Sequence, residues 1–472
     1  MSFTTGESRW ADVWLAATAR GTTICGDFLA ATALALALQN AGAGGLAVSA
    51  LLLAATLPLV VLAPLAGRLA DRVDSRTLLV TVGLAQAAIC TMLAVTTHPV
   101  LVIGLVALLA CGLAVTQPCL AALLPAMVRP NDLPRASAIT QTAVSLGALG
   151  GPVLAGLLVG QFGTRVPLLV DAVTYLALVV AGLLLRTRRG GRPATATTPE
   201  LPTAQVQAVP QADKRATGTA AEGWRFRRDP LMVVMVVCIA VVITAIGGIN
   251  VIEVFFIRET LNGSATMYGL VGAAWMAGLL PGGWFAARLV RRLDDDGWLV
   301  RGVLVTLAGC SLMVLLASTV PTAAVLVPLW LVAGAANGAQ NVFANLLTAR
   351  RAPESMRARA YASYGAAVQG GSMTGYLLGG LLLTVVSPRP LIAAAGAAGL
   401  LVALAFVPVV ARAVRRPAIE DRESQTERSS QRADDAGLAT LGRPAEPEPG
   451  GGDTVGSWLS ASHARGSGTS SS

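Results

Sequence analysis

Twelve mostly apolar runs, each close to the roughly 20 residues that a helix needs to cross a bilayer, limit what this chain can fold into. They lie near Trp14–Leu38, Leu46–Ala66, Thr77–Thr97, Val100–Leu123, Ala138–Gly160 and Val166–Leu185. After a polar gap come Leu231–Phe256, Met267–Ala287, Gly302–Thr319, Ala323–Leu347, Ala360–Val386 and Leu391–Ala411. Of the 472 residues 54% are hydrophobic and 13% charged, too few polar side chains to coat a soluble globule, so a soluble enzyme is excluded. Backbone polar groups in lipid must be satisfied internally, which makes each run a helix. The first run is too long for a cleaved signal peptide, ends in no small-residue cleavage pattern and is followed by eleven more.

The loops test this division independently, because arginines in short loops gather on the cytoplasmic side. With the N-terminus inside, the inner loops hold Arg68, Arg72 and Arg76; Arg129 and Arg135; the set from Arg186 to Arg228; Arg288, Arg291 and Arg292; and Arg350, Arg351 and Arg357. The outer loops hold only Arg165, Arg258 and Arg389. Both termini are therefore expected in the cytoplasm. Trp10, Trp14, Trp224 and Trp298 fall near the inner boundaries, where indole rings favour the interface. The net charge of +9 is scattered in short clusters between apolar runs instead of forming one stripe, which argues against a nucleic-acid partner.

The resulting organisation is a short N-terminus (1–13), a first six-helix bundle (14–185), a cytoplasmic linker (186–230), a second bundle (231–411) and a tail (412–472). The linker is rich in Thr, Ala, Pro and Gln and cannot bury a core; the tail has a disordered composition. The run Glu222–Pro230 interleaves Trp224 and Phe226 with Arg225, Arg227 and Arg228, as expected of a segment lying on the inner leaflet. The six cysteines all fall inside apolar runs without metal-ligand spacing, and His98 and His463 have no partner at ligand spacing. Asp294, Asp295 and Asp296 lack a second acidic cluster and read as a solvated turn, so no metal site is expected.

Sliding the chain on itself until Gly147 meets Gly371 also brings Gly151 onto Gly375, Ala155 onto Gly379, Gly156 onto Gly380, Arg135-Ala136 onto Arg359-Ala360 and Arg165 onto Arg389. Small residues every four positions let another helix approach closely, so spans five and eleven are expected to be contact helices at equivalent places in two parallel halves.

Between spans two and three stands GRLADRVDSR, Gly67 to Arg76. It resembles the loop signature of the major facilitator superfamily at Gly67, Asp71, Arg72 and Arg76; Asp74 and Ser75 depart from it. The resemblance implies twelve transmembrane helices in two pseudo-symmetric six-helix bundles. It further implies that Asp71 caps helix eleven and that the loop arginines pair with nearby acids, with Asp132 the candidate. Gly147, Gly151, Pro152, Ala155 and Gly156 in span five resemble the helix-five signature of drug–proton antiporters, with Ala155 in place of a glycine. Generic small-residue packing explains the same pattern. Gly26-Asp27, the spacing of Pro118 and Pro125 before Leu133-Pro134-Arg135-Ala136, and the lead into span seven look like the branch of enterobactin-exporter-like and macrolide-efflux-like proteins. The arginine usual in helix four of proton-coupled drug antiporters is missing.

An acid deep in a membrane helix is expensive, and so points to function. Asp27 lies about 20 Å into span one at 1.5 Å per residue and is the first proton-coupling candidate, with Arg20 two turns earlier. A structural Arg20–Asp27 pairing, bridged by a third group, is the competing reading. The repeat places Asn250 and Glu253 at the level of Asp27, and superimposes Thr116 and Gln117 on Gln340 and Asn341. Asn337, Gln340, Asn341 and Asn345 fall on one face of span ten. By resemblance, spans one, four, seven and ten line a central cavity, so Asp27, Gln117, Asn250, Glu253, Asn337, Gln340 and Asn341 are expected there. Hydrogen bonding between helices accounts for the same amides. Glu253 is the second proton candidate, unless it joins Glu259 beside Arg258 at the outer interface. Asp171 in span six is a third, at a position that in this fold tends to face outward or the rim of the other half.

No metalloprotease helix, nucleophile elbow or phosphate-binding glycine loop is present, which argues against an enzyme or an ATP-driven pump. The expectation is a monomeric secondary transporter of the cell membrane without a cofactor, exporting a small amphipathic drug, antibiotic or siderophore-like compound in exchange for protons by alternating access. An importer or facilitator of a small metabolite with the same fold, and a non-transporting membrane protein that binds a partner, are the alternatives.

Overall fold

In the computed structural model, residues 8–187, 229–290, 295–353 and 356–412 are described. The linker, its interfacial segment and the tail expected from the sequence lie outside them. Seven helices form the first half: α1 (Trp10–Asn40), α2 (Gly44–Val61), α3 (Ala63–Arg72), α4 (Ser75–Val95), α5 (Pro99–Met127), α6 (Leu133–Phe162) and α7 (Arg165–Leu184). Seven more form the second: α8 (Pro230–Gly247), α9 (Ile249–Phe255), α10 (Ala265–Val290), α11 (Asp296–Ala317), α12 (Leu326–Arg351), α13 (Arg357–Leu382) and α14 (Pro388–Arg412). Spans two and seven are each broken into two pieces. Pro58 and the break at Leu62 separate α2 from α3, and Gly247-Gly248 separates α8 from α9, which ends in one wide π turn, Phe256–Thr260.

Eleven spans among the described residues are long and apolar enough to cross a membrane. The remaining span, the eleventh by position, is α13, 26 residues long but less apolar. It turns Tyr364, Ser372 and Tyr376 towards a cavity and carries glycines where other helices press on it, so its surface is only partly lipid-facing. Apolar side chains elsewhere point outward, as at Val305 (70% exposed) and Leu184 (61%), the reverse of a soluble protein.

The glycines of the repeat do equivalent jobs in the two halves. A Cβ at Gly147 would collide with the Gly21 carbonyl of α1, and one at Gly371 would stand 2.7 Å from the Ala240 carbonyl of α8. One helical stretch further along, Gly156 would meet Ala265 O of α10 at 2.8 Å and Gly380 would meet Gly45 O of α2 at 2.7 Å. The first pair thus seats spans five and eleven inside their own halves. The second pair packs each of them against the other half.

The core is distributed unevenly along the helix axes. At the arginine-rich end the halves have separate cores, one containing Val13, Leu79, Leu123 and Tyr175, the other Met235, Leu299, Phe343 and Leu347. At the opposite end one core joins Leu34, Leu38 and Val48 to Val254 and Phe255, beside another within the second half around Phe256, Leu326 and Ile392. Polar contacts between the halves sit at the same end: Ser49 Oγ donates to Tyr376 O at 2.6 Å, Gln39 Nε2 to Glu259 at 3.1 Å and Arg258 Nη2 to Asn40 Oδ1 at 3.4 Å.

Short ion pairs tie the second half at its arginine-rich end. Arg351 Nε donates to Asp296 Oδ2 at 2.7 Å and Nη1 lies 3.8 Å from Asp229, while Arg350 lies 3.7 Å from Asp296. Asp295 caps α11 through Gly297 N at 2.9 Å. The acidic turn expected to be merely solvated therefore caps a helix and binds α12; Asp294 lies outside the described residues.

Candidate transport cavity and buried acid cluster

Gly26 and Asp27 sit where α1 crosses α7. A Cβ at Gly26 would collide with Asp171 Oδ1 and Thr174 Oγ1, so the missing side chain is what lets the Asp171 carboxylate lie against α1. Asp171 is completely buried (0% exposed), accepting from Cys90 Sγ of α4 at 3.2 Å and from Thr174 Oγ1 at 3.1 Å. One turn along α7, Tyr175 donates its phenol O–H to Asp27 Oδ1 at 2.5 Å. Two carboxyl groups from different helices thus lie close together, each with its own hydrogen-bond donors. Unpaired buried charge is costly, and these donors are what the cluster offers in place of water. Asp171 does not face a rim: the aspartate is turned inward by the same face of α7 that carries Tyr175.

Arg20 and Asp27 line the same small cavity with Thr116, Gln117 and Tyr175, but Asp27 takes its short hydrogen bond from Tyr175, and Arg20 Nη1 donates to Gln117 O at 3.4 Å. Asp27 also borders an apolar cavity of about 290 Å³ walled by Phe28, Leu34, Leu51, Val106 and Leu113.

The remaining expected cavity residues assemble in the other half. Asn250 and Glu253 of α9 and Asn337, Gln340 and Asn341 of α12 line a cavity of about 420 Å³ with Trp275, Trp330, Tyr364 and Tyr376. Glu253 accepts from the Trp330 side chain, and its Oε1 is buried without a partner among the described residues. It stands apart from Glu259, which accepts from Gln39 at the end where one core joins the halves. Asn337 Nδ2 donates to Gln340 Oε1 at 3.3 Å, and Gln340 Nε2 to Tyr364 Oη at 3.5 Å. Asp27 and Gln117 belong to the first half's cavities and not to this one.

Sequence reasoning missed Cys90, Tyr175 and the four aromatic walls. Tyr175 was within reach, because Asp171 and Tyr175 are four apart on one helical face and the chain has only 5 tyrosines. Cys90 and Trp330 carry no such local signal, since their partners come from other helices.

In the loop signature, Gly67 and Asp71 fall in α3, and their side-chain surroundings lie outside the described residues. Arg72 is exposed. Asp132 accepts from Ser8 Oγ at 2.5 Å, so the expected pairing with Arg72 or Arg76 is not formed among the described residues.

The profile of the transmembrane secretion effector family matches residues 7–435. No curated protein matches the sequence. Among solved structures, a bacterial homologue of the human lysosomal transporter Spinster, in an inward-facing and unoccupied conformation, is 15% identical, with a TM-score of 0.59 over 87% of this chain and 96% of that one. The nucleoside transporter NupG is 15% identical, with a TM-score of 0.60 over 84% and 99%. An auto-inhibited peptide transporter of the POT family is 14% identical, with a TM-score of 0.65 over 85% and 97%. At these identities the likeness shows the fold alone, and the fold is the twelve-helix, two-bundle one expected from the loop signature. The chain therefore belongs to the transmembrane secretion effector family, and it is a membrane transporter of the major facilitator superfamily and not an enzyme.

Proposed function

We propose that this transporter is a proton-coupled exporter of small amphipathic compounds, such as drugs, antibiotics or siderophore-like molecules, of the enterobactin-exporter-like and macrolide-efflux-like kind. It works as a monomer in the cell membrane with both termini in the cytoplasm. On that orientation the arginine-rich end, where the two cores are separate, faces the cytoplasm, and the joined core seals the outer side. Residues 14–185 and 231–411 are the two rocking bodies, connected by the cytoplasmic linker 186–230.

One observation carries the reading: two carboxyl groups, Asp27 and Asp171, lie close together inside one half, each with its own hydrogen-bond donors, while Glu253 brings to the cavity of the other an oxygen without a partner among the described residues. A group that holds a proton in a dry site and releases it to a wet one supplies the exchange that export requires. Asp27 and Glu253 are assigned the proton-carrying role, with Asp171 as Asp27's neighbour in the cluster. The amide-rich wall of the second cavity favours a rival with the same fold, an importer of a polar metabolite.

A panel of toxic compounds on an efflux-deficient host expressing the chain decides direction, since an exporter raises tolerance and an importer lowers it. In inside-out vesicles with an imposed pH gradient, Asp27→Asn and Glu253→Gln should each cut gradient-driven transport at least tenfold. Full gradient-driven transport by both variants would sink the coupling assignment.

A further inference from the structure

The second half's cavity carries one charge sign only. Among its described lining residues Glu253 is the sole acid, and no arginine, lysine or histidine accompanies it. Glu253 Oε1 is buried without a hydrogen-bond partner among the described residues, next to the indole that serves the same carboxyl group. The amides add to this bias. Asn250 Nδ2 donates to Gly247 O at 3.2 Å, Asn337 Nδ2 to Gln340 and Gln340 Nε2 to Tyr364, so part of the donor capacity is spent on the protein itself. Among the described residues no hydrogen bond engages Oδ1 of Asn250 or of Asn337. Trp275, Trp330, Tyr364 and Tyr376 supply π faces, which attract cations as well as flat apolar bodies. At about 420 Å³ the cavity is at the small end of the ligand-pocket range of roughly 300–1,000 Å³.

We propose that this cavity binds amine-bearing aromatic compounds in their protonated, cationic form, with Glu253 as the counter-ion of the ammonium group. The proposal rests on reading the cavity as the substrate chamber, and it narrows the amphipathic class given above to organic cations. An ammonium group donates up to three hydrogen bonds, which Glu253 Oε1 and the two amide oxygens can accept, while the attached ring lies against the indoles. A neutral alcohol of the same shape leaves the carboxylate without a countercharge, and a carboxylic acid meets like charge. The apolar cavity beside Asp27 has no comparable array of acceptors and is not assigned to the cation.

The test is calorimetric titration of the purified full chain in detergent with 4-phenylbenzylamine and with 4-phenylbenzyl alcohol, a pair differing in charge but hardly in shape. The native chain should bind the amine at least tenfold more tightly. Glu253→Gln should reduce the amine to the affinity of the alcohol, and Glu253→Asp, which keeps the charge, should retain the preference. Equal binding of the two ligands, a preference that survives Glu253→Gln, or no binding of the amine overturns the proposal. The comparison within the native chain decides the matter even if a variant does not fold. Binding in detergent needs no gradient, so an intact amine preference without proton-driven export would fault the export reading alone, and the opposite pattern would fault this one alone.

Discussion

Gly26 and Asn250 occupy the same slot in the two halves of the repeat, as do Cys90 and Val314, Asp171 and Ala395, and Tyr175 and Gly399. In the first half the large polar members fill the centre: Asp171 and Tyr175 reach from α7 onto α1, and Gly26 has given up its side chain to receive them. In the second half the α14 members are an alanine and a glycine. Asn250 and Val314 line the cavity of about 420 Å³ in that half, and no described residue of α14 does. One helical frame has thus been specialised twice. The sixth helix of the first half brings an acid and a tyrosine to the centre, and the sixth helix of the second half brings neither.

The frame itself should respond alike in both halves. Gly147→Val and Gly371→Val each push a side chain into a neighbouring carbonyl, on α1 and α8 respectively, and overpacking of this kind costs about 1–3 kcal/mol or more. Both variants should lower the thermal unfolding temperature of the purified protein by similar amounts. A large drop for one and none for the other would break the equivalence of the halves.

The specialised slots should respond differently. Gly26→Ala forces a methyl into the Asp171 carboxylate and should cost about 1–3 kcal/mol. Asn250→Ala gives up one hydrogen bond at a cavity wall, and about 0.5–1.5 kcal/mol is expected. Thermal unfolding of the two variants side by side measures the contrast. If alanine is tolerated better at Gly26 than at Asn250, the account of the acid cluster is wrong.

A smaller effect separates the tyrosines. Tyr175→Phe removes the donor to Asp27 at 2.5 Å, whereas Tyr364→Phe loses only a 3.5 Å contact with Gln340. A well-formed hydrogen bond between neutral groups is worth about 0.5–1.5 kcal/mol, and one at the limit of range about 0.5 kcal/mol or less. Tyr175→Phe should therefore lower gradient-driven transport strongly and Tyr364→Phe weakly, read as initial rates in vesicles.

The frame was legible in the sequence because bilayer thickness and backbone satisfaction act on every residue of a run, and because Gly147 and Gly371 share a register that comparison of the chain with itself reveals. The cavity face of α12 was legible for the same reason: Asn337, Gln340 and Asn341 are neighbours on one helix. What could not be read was how the faces of different helices meet. Asp171 looked like a rim residue since nothing local records that Cys90 of α4 and the bare backbone of Gly26 converge on it. Gln117 looked like a partner of Asn341 by symmetry, yet it lines the first half's small cavity with Arg20. Symmetry of the backbone does not extend to the side chains, because equivalent positions such as Asp171 and Ala395 carry different groups.

The least effect is expected at the seam that joins the halves, where two contacts differ in burial. Ser49 Oγ is buried against α13 and donates to Tyr376 O at 2.6 Å, while the Gln39–Glu259 contact is exposed to solvent. A buried hydrogen bond contributes about 0.5–1.5 kcal/mol, and an exposed polar pair usually less than about 0.5 kcal/mol. Since about 1.4 kcal/mol is a tenfold change in an equilibrium, Ser49→Ala should raise the population open at this end by about twofold to tenfold, and Gln39→Ala by less than about twofold. A thiol placed in the joined core by Val48→Cys reports that opening through its rate of alkylation from the same side. Faster labelling in Gln39→Ala than in Ser49→Ala would mean that the exposed rim, and not the buried face of α2 on α13, holds the halves together.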